Sequence, residues 1–274
     1  MDIVILCIVV VFGLIFGSFF NVLIYRLPRG ESVVTPRSHC PACGHPVKFY
    51  ENIPVLSYLV LGGRCAGCKM PISPVYPAVE LLSGIWAVAL WMLWFKPQAQ
   101  AVDLWWRYLP LALQMLSLMF LLPMFIIDML HYIIPDILTL PWIPLGLAFS
   151  CVPHHVTPLE SLLGILAGGG SLWLIGILGE WLFKKDEAMG GGDIKFMAGM
   201  GAIWGWKTAL LAIFFSSLLG ALIGGGLMIV RMLGADRKIP FGPFLAVGLV
   251  VAILAGDTLV VLYFDWIDRL IFSR

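Results

Sequence analysis

DIVILCIVVVFGLIFGSFFNVLIYRLPR, residues 2–29, decides what solvent this chain folds in. From Ile3 to Ile24 it carries no charge. A membrane span needs ~20 apolar residues, whereas a helix on a soluble core keeps a polar face. Arg26 and Arg29 follow the run, and Asp2 stands where a secretory leader would be basic. The run is also longer than the apolar region of such a leader. The segment therefore reads as a retained first transmembrane helix with its N-terminus outside.

The rest of the chain agrees. Of 274 residues, 61% are hydrophobic and 12% charged, against roughly 25% charged in soluble domains. A formal net charge of +1 provides no basic field, so no nucleic-acid partner is expected. Apolar segments fall at about 3–25, 75–95, 109–127, 132–152, 159–183, 193–206, 207–231 and 240–264. The sixth is short and rich in Gly, Ala and Met, which suits a short, tilted or re-entrant helix. With the N-terminus outside, the inner loops and borders hold Arg26, Arg29, Arg37, Lys48, Arg64, Lys69, Lys184, Lys185, Lys195, Arg231, Arg237 and Lys238. Only Lys96, Arg107, Lys207, Arg269 and Arg274 fall outside. This bias sets the orientation. The expected fold is an all-α membrane protein, a polytopic bundle of about eight transmembrane helices with a small cytoplasmic zinc-binding insertion. The divisions expected are 1–25 (first helix), 26–74 (insertion) and 75–274 (polytopic domain). No internal repeat is evident. The patches Gly168–Gly170 and Gly224–Gly226 read as places where helices approach closely.

The insertion is too small for a large apolar core and needs a staple. Cys40-Pro-Ala-Cys43 and Cys65-Ala-Gly-Cys68 are two C-x-x-C pairs separated by 21 residues. Four thiolates complete a tetrahedral zinc shell, which marks a structural site with no open position. The cytoplasm keeps thiols reduced, so disulfides are disfavoured. A redox pair would leave the second pair unexplained. Gly44 and Gly67 suit tight turns around the metal, and His39 and His45 flank a shell that is already full. Cys7 and Cys151 lie in apolar runs and read as inert packing residues.

Acids are costly within a span and are functional candidates there. Most lie at loops or segment ends, but Glu80, Asp128, Asp136, Asp193 and Asp257 sit in or against apolar sequence. Asp128 closes the third span and Asp193 opens the sixth, both at the cytoplasmic boundary of this topology. Two carboxylates at one depth can share a proton and hydrolyse an amide, one as general base and the other as acid. Gly190, Gly191 and Gly192 let a substrate backbone come close to Asp193. The helix start favours an anion, so Asp193 is expected to be the more readily ionised member. Taken singly, Asp193 is an ordinary helix cap and Asp128 an interfacial residue or a partner of His131. Asp136, after Pro135, reads as a helix start. Lys195 could neutralise Asp193 or snorkel to headgroups. Glu80 could pair with a basic residue of the insertion or contact a ligand, and Asp257 falls on the outer side.

At these residues the sequence resembles the type IV prepilin peptidase family of bifunctional leader peptidases and N-methyltransferases. The resemblance runs through Gly17-Ser18…Asn21…Tyr25-Arg26-Leu-Pro28, the two cysteine pairs, Asn52-Ile-Pro54…Ser57 and Ile72-Ser73…Tyr76-Pro77…Glu80. It continues through Asp128, Ile134-Pro135-Asp136, Gly190-Gly-Gly192-Asp193-Ile-Lys195 and Pro240-Phe241-Gly242-Pro243. It implies an intramembrane aspartic peptidase of the inner membrane with Asp128 and Asp193 as its pair. The implied substrates are prepilins and pseudopilins, cut between basic leader and apolar segment, typically after glycine. It also implies methylation of the new terminus from S-adenosylmethionine, an activity that the cysteine-rich insertion accompanies in bacterial members. Val75 stands where many members carry Arg.

Three other readings compete. A transporter would keep its acids near the midplane in paired broken helices. A peptidase without methylation would generally lack the cysteine insertion. A zinc adaptor that only recruits partners would leave Asp193 and its glycines without a role.

Overall fold

The structure, a computed structural model, describes residues 2–100, 108–152, 156–184, 189–229 and 239–272. Arg107, Lys185, Arg231, Arg237, Lys238 and Arg274, which entered the charge count, lie outside the described residues, as do the acids Asp103, Asp186, Glu187 and Asp236. Among the described residues the regular structure is helical: α1 (Asp2–Arg26), α2 (Leu56–Val60), α3 (Val75–Leu90), α4 (Lys96–Gln100), α5 (Tyr108–Met119), α6 (Leu121–His131), α7 (Asp136–Thr139), α8 (Trp142–Phe149), α9 (Pro158–Ile165), α10 (Ser171–Phe183), α11 (Gly191–Ile229) and α12 (Gly242–Phe272). Wide helical turns at Trp91–Phe95 and Leu166–Gly170 carry the chain between neighbouring helices without a break.

Six continuous stretches among the described residues are long and apolar enough to cross a membrane: Ile3–Arg29, Val75–Gln98, Tyr108–His131, Pro158–Leu182, Gly191–Leu227 and Gly242–Arg269. The eight apolar segments expected as separate spans map onto these six stretches and one shorter helix. Segment 132–152 becomes the short apolar helix Asp136–Phe149. Segments 193–206 and 207–231 are the two arms of α11, separated at Gly205, whose φ of 80° and ψ of 171° no other residue type adopts readily. The first arm is short, about 21 Å for 14 residues. Residues 196–205 are all buried in protein, and the glycines and alanines among them let neighbouring helices approach closely. Large apolar side chains such as Ile8, Ile15, Trp173, Leu178, Phe214 and Leu222 remain exposed on the helices, as a lipid-facing surface requires.

The chain divides into two compact units, Met1–Ala101 with Leu118–Ile127, and Val102–Ser117 with Asp128–Arg274. In the first unit α1 and α3 touch backbone to backbone. A Cβ on Gly13 would lie 2.8 Å from Gly84 Cα, and one on Gly17 2.6 Å from Glu80 Cα. Phe16 and Phe20 stack edge-on with Phe120. Polar groups tie α1 to the start of α3 and to the insertion. Asn21 donates to Tyr76 O (3.0 Å), and Arg26 to Ser32 O and Pro36 O (both 2.8 Å).

In the second unit the first arm of α11 lies against glycine faces. Gly164 abuts Gly201, Gly168 abuts the Met197 carbonyl, and Gly146 meets Ala202. A Cβ on Gly199 would stand 2.8 Å from Trp142 Cβ. Ser161 donates to Ala202 O (2.8 Å), and Trp204 to Ser117 Oγ (3.2 Å). Gly168 and Gly169 of the Gly168–Gly170 patch are thus a packing face, while a Cβ on Gly170 would meet nothing within 4 Å. The Gly224–Gly226 patch is not a packing face: Gly225 and Gly226 meet nothing among the described residues, and Gly224 would meet only Ile239. Cys7 and Cys151 are exposed rather than packed in the core.

Candidate active site and metal cluster

Asp128 and Asp193 both belong to the second unit. Asp128 is 5% exposed and stands one turn before the end of α6; Asp193 is 9% exposed and is the third residue of α11. They are 65 residues apart in sequence, yet Ile134 packs both on Gly242, whose N–H Asp128 accepts, and on Gly192, which precedes Asp193. Their hydrogen bonding differs. Asp128 Oδ2 accepts the N–H of Gly242, the first residue of α12, at 3.0 Å in a buried setting. Asp193 Oδ1 is buried and has no hydrogen-bond partner among the described residues. A buried carboxylate oxygen without a donor is expensive, and such orphans belong where a proton, a water or a substrate is to be received.

The glycines around Asp193 divide their work. A Cβ on Gly190 would lie 2.7 Å from Asp193 Oδ2, and one on Gly192 2.9 Å from Ile134 Cβ; only Gly191 faces open space. Of these three glycines only Gly191 leaves space open among the described residues, while its neighbours make room for the protein itself. The Gly242 contact escaped the sequence reading because the donor is a backbone amide. Only its place in Pro240-Phe241-Gly242-Pro243 marked it.

Lys195 does not neutralise Asp193. Its Nζ binds both oxygens of Asp136 at 2.7 and 2.8 Å, in a half-exposed pair that fastens the start of α7 to the start of α11. Asp136 opens α7 directly after Pro135. Among the described residues Glu80 meets no basic residue: it accepts the N–H of Val55 at 2.7 Å. Val55 needs the help, because it sits at φ 62°, ψ −48° with Leu56 N–H donating to Pro54 O at 2.6 Å. That is a rare, strained γ-turn, and a β-branched residue adopts it poorly. Asp257 is exposed on α12, about 22 Å along the helix from Gly242.

The four cysteines of the first unit converge, with all Sγ atoms within 4.8 Å of one another. The cross pairs Cys40–Cys68 and Cys43–Cys65 are both 3.9 Å apart. A tetrahedron with metal–sulfur bonds of about 2.3 Å has edges of about 3.8 Å, so the cluster fits a four-thiolate metal. The N–H groups of Ala42 and Cys43 pull the Cys40 thiol down to about 7. Those of Cys68 and Gly67 lower Cys65 likewise, which prepares both as thiolate ligands. His45 is not a ligand, since its Nε2 lies 3.2 Å from Glu51 Oε2.

The two cysteine loops are a structural repeat that the sequence reading missed. Cys40 N–H donates to His45 O and Gly44 N–H to Cys40 O; Cys65 N–H donates to Met70 O and Lys69 N–H to Cys65 O. Bridges His39–Pro46 and Arg64–Pro71 close the two loops alike. The shared pattern, Cys-x-x-Cys-x-x-Pro from Cys40 and again from Cys65, was its visible signal. The left-handed position is Gly44 (φ 71°) in the first loop and Lys69 (φ 61°) in the second. Gly67 is small for another reason: a Cβ there would press on His45 at 3.1 Å.

Comparison with known proteins adds independent findings. Residues 11–94 match the family model of the bacterial peptidase A24 N-terminal domain, and residues 115–225 match that of the type IV leader peptidase family. A prepilin leader peptidase/N-methyltransferase of Aeromonas hydrophila is 36% identical over 278 residues, covering 92% of this chain and 91% of the relative. One from Pseudomonas aeruginosa is 35% identical over 284 residues, covering 94% and 92%. One from Myxococcus xanthus is 39% identical over 231 residues, covering 84% of this chain and 64% of the relative. No solved structure matches the chain.

Proposed function

This chain belongs to the type IV leader peptidase family, and on that premise we propose that it removes the leader of prepilins and pseudopilins with Asp128 and Asp193 and then N-methylates the new terminus. The observation that carries the peptidase half is the pair of buried carboxyls at two helix ends, one holding a backbone donor and the other holding an oxygen with none.

That asymmetry supports one assignment of the shared proton. A hydrogen bond to a charged group contributes about 1.5–3 kcal/mol, whereas a helix dipole contributes about 0.3–1 kcal/mol. The Gly242 donor therefore outweighs the α11 dipole, and Asp128 carries the charge while Asp193 carries the proton. This reverses the assignment expected from the helix start alone. Asp128 takes a proton from water as the water oxygen adds to the scissile carbonyl carbon, and Asp193 gives its proton to the carbonyl oxygen. On collapse the C–N bond breaks. The leaving amine takes the proton held by Asp128, and Asp193 recovers one from a hydroxyl of the intermediate.

A prepilin's basic leader remains in the cytoplasm while its apolar segment lies in lipid, so the scissile bond falls at the inner interface. The proposed orientation sets the N-terminus in the periplasm and the site at the cytoplasmic face of the inner membrane. S-adenosylmethionine supplies the methyl group as a second substrate. Cys40, Cys43, Cys65 and Cys68 would hold zinc in a closed structural shell, and no step of hydrolysis runs through it.

Incubation of purified protein with a prepilin and S-adenosylmethionine, followed by mass spectrometry of the product, tests both halves. The expected product has lost its leader and gained one methyl group. Asp128→Asn and Asp193→Asn each lower cleavage by at least about 10²–10⁴-fold and still insert into the membrane. Cleavage at the original rate in either variant would refute the dyad.

A further inference from the structure

Gly242 is not a glycine for conformational reasons. The positive-φ glycines among the described residues are Gly30, Gly44, Gly62, Gly63 and Gly205, and Gly242 is absent from that set. What the position demands is space. A Cβ there would stand 2.6 Å from Asp128 Oδ2, 3.1 Å from Asp128 Cγ and 2.9 Å from Ile134 Cδ1. Contacts under about 3 Å do not persist, so something would have to shift. The same residue sends its N–H to the same oxygen at 3.0 Å. The first N–H groups of a helix have no partner within it, so Asp128 serves α12 as a cap supplied from α6.

Ile134 completes the arrangement. Its side chain meets Gly242 through Cδ1, and its Cβ and carbonyl oxygen meet Gly192, where a Cβ would lie 2.9 and 3.0 Å from them. One residue is thus wedged between the glycine that seats Asp128 and the glycine that precedes Asp193. Each carboxylate also touches a glycine directly, Asp128 at Gly242 and Asp193 at Gly190.

We infer that Gly242 is a positioning residue for peptide hydrolysis. Its N–H and its missing Cβ together fix the Asp128 carboxylate, and Ile134, packed on Gly242 and Gly192, sets the spacing between the two acids. This rests on the dyad reading above. A methyl group at 242 presses on Asp128 and Ile134 and so displaces the carboxylate from water and carbonyl. Misplacement of a catalytic group by about 1 Å costs on the order of a hundredfold in rate.

The test uses full-length protein in detergent and a prepilin substrate. Gly242→Ala is expected to lower kcat by about tenfold to a hundredfold with KM changed by no more than about twofold, and to lower the thermal unfolding midpoint. In an Asp128→Ala background the two carboxylate contacts are gone and only the one with Ile134 Cδ1 remains, so Gly242→Ala is expected to cost less than about half as much in midpoint, as coupled neighbours do. An undiminished penalty in that background, or a raised KM with unchanged kcat, overturns the inference. If the single variant is not recovered folded, the double variant decides: its recovery supports the clash, and loss of both overturns it. The midpoint comparison needs no activity. Cleavage surviving Asp128→Asn would sink the dyad, while the coupling still reports separately on Gly242.

Discussion

Stripping the metal from the cysteine cluster, or replacing Cys43 by Ser, is expected to unfold the insertion and leave the helices standing. From Leu27 to Ala78 the only buried residue is Cys65. Burying so small a side chain is worth about 1 kcal/mol. Ordering backbone costs about 1–2 kcal/mol per residue, and the two loops with their connection run from His39 to Ile72. Apolar burial cannot offset that. A structural zinc contributes about 10–16 kcal/mol, as much as the whole stability of many domains, so it is the largest single stabiliser available. Hydrogen exchange read by mass spectrometry checks this. The amides of Cys40, Gly44, Cys65 and Lys69, each bonded across its loop, should lose protection when chelator removes the metal. Amides in α11 should keep theirs. Cys43→Ser should show reduced zinc content and the same local loss. Full protection of the four loop amides in metal-free protein would refute the reasoning, because some other interaction would then be holding the loops.

Other consequences are smaller in scale. At the two matched left-handed positions, Gly44→Ala should destabilise the insertion by about 1–2 kcal/mol, purely through backbone conformation, since a Cβ at Gly44 meets nothing within 4 Å. Lys69→Gly should stabilise it by a comparable amount, reduced by the extra freedom of the unfolded chain; metal-dependent unfolding of the two variants gives the comparison. Lys195→Ala removes a half-exposed ion pair worth about 0.2–1 kcal/mol, so the thermal midpoint should move slightly and cleavage should persist. Loss of all cleavage would give Lys195 a catalytic part that its contact with Asp136 does not suggest. Gly201→Val, by contrast, drives a branched side chain into the Gly164 backbone. It should cost at least about 1–3 kcal/mol and lower the folded yield in detergent.

Several features were legible in the sequence because they are local. Cys40, Cys43, Cys65 and Cys68 announce their metal shell by residue type and spacing. The spans announce themselves by composition, because lipid demands it of each segment separately. Asp128 and Asp193 stood out because a carboxyl beside an apolar run is costly wherever the chain goes. Other features lie in contacts between distant segments. Segment 193–206 reads as a short, tilted or re-entrant helix, and nothing in it says that residues 196–205 are all surrounded by protein. Lys195 lies two positions from Asp193 but reaches Asp136. The donor to Asp128 is an amide with no side chain, brought from 114 positions away. A sequence records which groups a residue carries and which conformations it tolerates. Which backbone N–H meets which carboxylate, and where two glycines let chains touch, is decided only when the helices pack.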